Sequence, residues 1–266
     1  MALDSVDPPE FFDARRRSFG SNAQTYDEVR PDWPAPVMQW LTDDRAVPGR
    51  VLDVGCGTGK GSRTLLADGH EVVAVDPSLD MLQVLQTWRD AQPVPAQARL
   101  SIREGRAEAL PLTDDHVDAA VCLQAWHWVD ATQAAAEIAR VLRPGGTFGL
   151  AWMAWLGDER WRDELAEIIG DPDLADAARQ VIAGDYPFEL EVEAFDGFEF
   201  AQFPHHVRQS VDDFVLHVSS WSAVAVSDDR ERILARVREL AVRVCDADGT
   251  VTFDHMALCG RATMAV

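Results

Sequence analysis

Two carboxylates bracket a glycine-rich turn. The stretch VLDVGCGTGKGS, residues 51–62, joins an apolar run to a cluster of glycines, and Asp53 sits inside the run. A buried strand tolerates a carboxylate poorly unless something satisfies it. Asp76 closes the next apolar run, 21 residues after Gly55, the position from which an acid takes two ribose hydroxyls. The pair implies a nucleoside ligand, its ribose on Asp76 and its other end over the turn from Gly55 to Gly59. An acid beside that turn suits a cationic or zwitterionic group better than a pyrophosphate.

The commoner glycine-loop ligands fit less well. A nucleoside-triphosphate loop needs G-x-x-x-x-G-K-[ST]. With Gly59-Lys60 as its GK, Val54 replaces the first glycine and Gly61 replaces the hydroxyl residue. The dinucleotide pattern G-x-G-x-x-G meets Gly55 and Gly57 but then Lys60, or Gly57 and Gly59 but then Ser62.

Other residues with chemical potential are fewer. His127 follows the fourth apolar run in QAWHWVD. Reactive groups in open α/β sheets cluster at the carboxyl ends of strands, where His127 can take a proton from an O–H or N–H acceptor. The competing reading packs it between Trp126 and Trp128. Trp126, Trp152 and Trp155 flank expected strand ends. His205-His206 cannot share one ion, because strand neighbours point to opposite faces, and no metal is expected. The four cysteines, at 56, 122, 245 and 259, form no CxxC motif and read as reduced thiols. Lys60 reads as a solvated side chain at a helix start.

These residues need a scaffold. Apolar, β-branched runs at residues 50–54, 71–75, 99–103, 117–123 and 147–153 alternate with helical patterns near 61–68, 78–89 and 131–142. Gly145-Gly146 reads as a helix stop and turn. Alternation with apolar strands argues for a parallel sheet covered on both faces. Two more strand candidates, near 199–207 and 250–262, flank an amphipathic helix at 228–245 with Ile233, Leu234, Val237, Leu240, Ala241 and Val244 on one face. The expected fold class is α/β: a seven-stranded, mostly parallel, doubly wound sheet with a helical N-terminal segment and a helical cover. The expected divisions are 1–48, a helical segment over the active site; 49–154, the ligand-binding core; 155–197, a helical insert or cover; and 198–266, strands and a helix completing the sheet.

The bulk numbers restrict partners. The 266 residues are 47% hydrophobic with a formal net charge of −21. That surface repels nucleic acid and anionic membranes on average. No apolar run reaches a membrane span and the start, MALDSVDPPEFF, is acidic, so a soluble, cytoplasmic protein is expected. Its oligomeric state is not legible.

The stretch VLDVGCGTGKGS, followed by VVAVDPSLDML, GRAEALPL, VDAAVCLQAWHW and EIARVLRPGGTFGLAW, resembles a class I S-adenosylmethionine-dependent methyltransferase with a type 11 domain, over residues 50–153. The opening FGSNAQTYDEVRPDWP is similar to that of small-molecule enzymes related to trans-aconitate methyltransferase. The resemblance implies the Rossmann-like methyltransferase fold, S-adenosylmethionine as cofactor and a small-molecule methyl acceptor. It implies that Asp53, Gly55, Cys56, Gly57 and Gly59 line the methionine end. Asp76 holds the ribose, Pro77 and Met81 lie beside ribose and adenine, and Ala107 and Glu108 approach the adenine edge. Leu123 and Gln124 close the site, and Tyr26 and Arg30 reach the cofactor's carboxylate from the N-terminal segment. Arg106 stands where relatives often carry an acid, so adenine recognition rests on the backbone at Ala107 and Arg106 faces solvent. His127 is the candidate catalytic base. Two other classes stay open: a protein that binds S-adenosylmethionine without turnover, and an NAD-linked oxidoreductase.

Overall fold

A computed structural model describes residues 23–43, 48–171, 173–183, 195 and 197–264. Residues 1–22 of the expected N-terminal segment and 184–194 of the expected cover lie outside the described residues. Two short helices come first, α1 (Ala23–Val29) and α2 (Ala35–Leu41). Then β1 (Arg50–Val54), α3 (Lys60–Ala67), β2 (Glu71–Asp76), α4 (Leu79–Asp90), the short α5 (Val94–Gln97) and β3 (Leu100–Glu104) follow in alternation. Next are β4 (Val117–Leu123), a 3-10 turn (Trp126–Trp128), α6 (Ala131–Val141) and β5 (Leu142–Gly157). The remainder is α7 (Arg162–Ile169), α8 (Asp173–Ala183), β6 (Glu199–Ser210), α9 (Val211–Ser219), α10 (Ser222–Ala225), α11 (Arg230–Val244) and β7 (Thr250–Thr263).

The strand order is β3-β2-β1-β4-β5-β7-β6, one seven-stranded sheet. β1 pairs in parallel with β2 and β4, β2 with β3, and β4 with β5. The chain therefore steps outward from β1 to β3, then returns to β1's other side with β4. Ligands of open α/β sheets bind at such a reversal, beyond the carboxyl ends of the strands.

The chain falls into two compact units. The glycine-loop unit comprises Asp32–Trp152 with Leu190–Phe203 and Ala257–Val266. Its β1, β2 and β4 are almost wholly apolar inside, with Leu52, Ala74, Ala119, Ala120 and Val121 buried. Helix α3 packs on β1 and β2, and α4 on β2 and β3. The second unit comprises Met1–Pro31, Met153–Glu189 and Pro204–Met256. Its core gathers Trp161, Leu165, Phe214, Val218, Val237 and Phe253, and α11 contributes Ile233, Leu240 and Ala241 from its apolar stripe. Leu234 and Val244 of that stripe are only partly buried.

One boundary differs from the sequence reading. Gly145-Gly146 does not separate helix from strand; β5 begins directly after α6, at Leu142. Val117 pairs with Leu142 and Ala119 with Thr147. The RPGG residues are therefore extra chain taken up as an irregularity in the ladder, with Gly145 in the left-handed region at φ 73°. A bulge absorbs additional residues without ending a strand.

Candidate functional site: a carboxylate-flanked glycine turn

The turn after β1 hangs on the end of β2. The N–H groups of Gly55 and Cys56 both donate to Val75 O, at 2.8 and 3.1 Å. The Gly59 N–H donates to Cys56 O at 2.8 Å. Gly57 and Gly59 adopt φ of 54° and 86°, a region costly for residues with a Cβ. They differ in surroundings. A Cβ on Gly59 would lie 2.2 Å from Leu85 Cδ1, whereas one on Gly57 would meet nothing within 4 Å. Gly59 thus locks the turn against α4, and Gly57 faces open space.

Asp53 lies beneath this turn, 1% exposed. Its Oδ2 accepts a hydrogen bond from Ser62 Oγ at 2.6 Å. Its Oδ1 is buried and has no partner among the described residues. Burial raises its pKa to about 6, against the pull of the Ser62 hydrogen bond and with a further push from Asp76. A buried carboxylate oxygen left without a donor is costly.

Asp76 does more than end a strand. Its Oδ2 accepts from the Gly57 N–H at 2.9 Å and its Oδ1 from the Ser78 N–H at 2.8 Å. The same carboxylate ties the glycine turn to the start of α4. Burial pushes its pKa up and the two backbone hydrogen bonds oppose that. Each oxygen retains a lone pair for a further donor. Cys56 lies between these acids; burial, then Asp53 and Asp76, hold its thiol well above the usual range, so it is no nucleophile.

The remaining residues expected at the site fall as follows. Pro77 is exposed, Ser78 caps α4 by accepting from the Met81 N–H, and Met81 is buried. Ala107 is buried, and Glu108 accepts from the Asp130 N–H at 3.0 Å through Oε1. The Arg106 side chain is 62% exposed. Leu123 is buried at the end of β4. Gln124 takes φ 56° and donates its N–H to Ala151 O at 2.8 Å. The His127 ring packs on Trp128 at 4.7 Å, while Trp126 packs on Phe148 at 5.3 Å.

One expectation changes. Lys60 is not solvated: its side chain is 13% exposed and pairs with Asp32 at 3.2 Å. Tyr26 and Arg30 lie in the second unit, where the Arg30 guanidinium lies over the Tyr26 ring at 5.3 Å. Sequence reasoning missed Ser62, the donor that holds Asp53, although a hydroxyl one turn beyond the glycines was an available signal. Leu79, at the first turn of α4, is 63% exposed. Among the described residues no group of three or more His, Cys, Asp or Glu can hold an ion.

The donor set fits the cofactor implied by the sequence. A positively charged ligand would answer the partnerless Asp53 Oδ1, and a nucleoside's hydroxyls would answer the remaining lone pairs of Asp76. Fold and site together define a class I S-adenosylmethionine-dependent methyltransferase. Residues 52–150 match the methyltransferase domain family of type 11. The chain is 37% identical over 253 residues to an uncharacterised methyltransferase of Mycobacterium tuberculosis, covering 93% of this chain and 96% of that one. It is 27% identical over 248 residues to a methyltransferase-like protein of Schizosaccharomyces pombe, covering 91% and 92%. A candidate type II methyltransferase structure from Anaeromyxobacter dehalogenans superposes with a TM-score of 0.61 at 25% identity, over 89% of this chain and 97% of that one. The chain belongs to the S-adenosylmethionine-dependent methyltransferases.

Proposed function

We propose that the methyl acceptor is a small organic molecule and that the cofactor is held by the glycine-loop residues named above. The carrying observation is the partnerless Asp53 Oδ1 beneath the open Gly57 turn. In this reading Asp53 Oδ1 accepts from the cofactor's ammonium group, and Asp76 accepts from the ribose hydroxyls while keeping its hold on Gly57 and Ser78. Gly55, Cys56 and Gly59 shape the wall, Pro77 and Met81 lie along ribose and adenine, and Ala107 and Glu108 meet the adenine edge. Leu123 and Gln124 bound the far side. The exposed Leu79 offers an apolar surface to the base.

Bound S-adenosylmethionine supplies a methyl group on a sulfonium centre whose sulfur departs with the bonding electron pair. The chain's contribution is alignment and exclusion of water. His127, just beyond β4, takes the acceptor's proton on its imidazole where the acceptor must lose one. The likeness of residues 19–34 to trans-aconitate methyltransferase supports a small acceptor. The net charge of −21 supports a protein without nucleic-acid partners, and a cytoplasmic location accords with it. Among the described residues no helix is long and apolar enough to cross a membrane.

Calorimetric titration separates the classes. S-adenosylhomocysteine should bind with a Kd on the order of 1–100 μM, about 5.5–8 kcal/mol, and NADH should not bind. Labelled methyl transfer across a panel of small metabolites then identifies the acceptor. Binding of NADH without S-adenosylhomocysteine would refute the reading; cofactor binding with no transfer to any acceptor would favour a non-catalytic binder.

A further inference from the structure

Asp53 is held from one side only. Ser62, wholly buried in the first turn of α3, donates its hydroxyl to Asp53 Oδ2 at 2.6 Å. Among the described residues no other side chain donates to either oxygen of that carboxylate. The bond has the short length of a hydroxyl on an ionised acceptor, the stronger, charge-assisted kind. Ser62 is the third residue of α3, so its backbone N–H is one of those a helix leaves without an internal partner. That N–H also favours the ionised carboxylate.

Gly61 makes the contact possible. A Cβ there would lie 2.2 Å from Leu123 Cδ1 and 3.3 Å from Asp53 Oδ2. Its absence lets the start of α3 press on Asp53 of β1 and Leu123 of β4, and the next residue's hydroxyl reaches the carboxylate at hydrogen-bond length. The choice of oxygen matters. The torsion that turns a carboxylate is broad, and a donor on Oδ2 fixes its plane while Oδ1 stays open as an acceptor.

Ser62 also opposes what would neutralise Asp53. Burial raises the pKa to about 6, and Asp76 of β2 pushes the same way. Cys56 of the turn and Cys122 of β4 bring no charge, because burial and then Asp53 hold both thiols above their usual range. The downward pull comes from Ser62, through its hydroxyl first and its N–H second.

We propose that Ser62 is a positioning residue for cofactor binding: its hydroxyl orients the Asp53 carboxylate so that Oδ1 receives the cofactor's ammonium group. The proposal rests on the assignment of Asp53 to that ammonium. Ser62 acts through Asp53 and touches the cofactor nowhere itself. Without the hydroxyl the carboxylate loses its fixed plane. It also takes up a proton at higher pH, and a protonated Asp53 no longer answers a cation.

Calorimetry with S-adenosylhomocysteine between about pH 6.5 and 8.5, on wild type, Ser62→Ala, Asp53→Asn and the double variant, tests this. Ser62→Ala loses a hydrogen bond to the charged form, so the Asp53 midpoint should rise by about 1–2 pH units. The variant should then bind about three- to thirtyfold more weakly at the acid end of the range and return to within about threefold of wild type at the alkaline end. On the Asp53→Asn background the same substitution should add no pH-dependent loss. Unchanged affinity of Ser62→Ala at the acid end overturns the proposal. So does an equal loss at every pH, the mark of a merely structural role. An Asp53→Asn protein of unchanged affinity overturns the assignment of Asp53 and this proposal with it. Weakened binding in Asp53→Asn beside wild-type affinity in Ser62→Ala overturns the role of Ser62 alone.

Discussion

Replacing Asp53 by Asn separates the demands of the empty protein from those of the ligand. Asp53 is buried, with one oxygen on Ser62 and the other unpartnered. Its pKa is raised from 3.8 to about 6. A carboxyl whose native pKa is raised binds its proton more tightly folded than unfolded, so stability is greatest below about pH 4 and falls as pH rises through about 6. The difference amounts to about 3 kcal/mol at neutral pH. Asn cannot ionise, and Ser62 Oγ still has an oxygen to donate to. The stability difference between wild type and Asp53→Asn should therefore shift by about 2.4 kcal/mol in the variant's favour between pH 4 and pH 7.5. Denaturant unfolding at several pH values measures that shift whatever the amide's own offset. The same substitution removes the anion that answers the cofactor's ammonium, and S-adenosylhomocysteine should bind roughly ten- to a hundredfold more weakly at pH 7.5. Parallel stability curves for the two proteins across this range, together with unchanged affinity, would refute both the charge state and the role assigned to Asp53.

Asp76→Ala should weaken S-adenosylhomocysteine binding about ten- to a hundredfold and also lower the melting temperature, since the turn loses its tie to Ser78; calorimetry showing unchanged affinity would remove Asp76 from the ribose. Gly59→Ala and Gly57→Ala should part company. The first combines a left-handed φ with a clash on Leu85 and should cost roughly 2–5 kcal/mol of stability. The second meets no protein atom and should cost only about 1–2 kcal/mol while intruding on the ligand, which paired melting and titration data distinguish. His127→Ala should lower turnover about 10²–10⁴-fold with cofactor affinity unchanged; wild-type turnover would reduce His127 to a packing partner of Trp128.

What the sequence made legible was local. Asp53, the glycines and Asp76 lie within 24 residues of one another, and the alternation of apolar strands with helices fixes where each sits in a parallel sheet. The amphipathic stripe of α11 was equally readable from its spacing. What stayed hidden depended on residues distant in the chain. No periodicity links Arg30 to Ser220, to which its guanidinium donates at 3.0 Å through tertiary packing alone. Lys60 looked like a surface side chain because its partner, Asp32, precedes it by 28 residues. The RPGG stretch carried a valid turn signal, but pairing on either side of it kept the strand going. Asp76 was legible as an acid at a strand end, while its grip on the Gly57 and Ser78 N–H groups required the turn's coordinates.

That grip bears on when the turn becomes ordered. The Gly57 N–H donates to Asp76 and the Gly55, Cys56 and Gly59 N–H groups donate to backbone carbonyls, so the hydrogen bonds that shape the turn need no ligand to form. The entropy of fixing three left-handed glycines is then charged to the folding equilibrium, where the whole hydrophobic core contributes against it. Cofactor association meets a preorganised surface and needs to lose little more than its own freedom. Encounter should accordingly resemble docking into a rigid cleft, with a rate that grows in proportion to ligand concentration and no slow rearrangement of the turn to limit it.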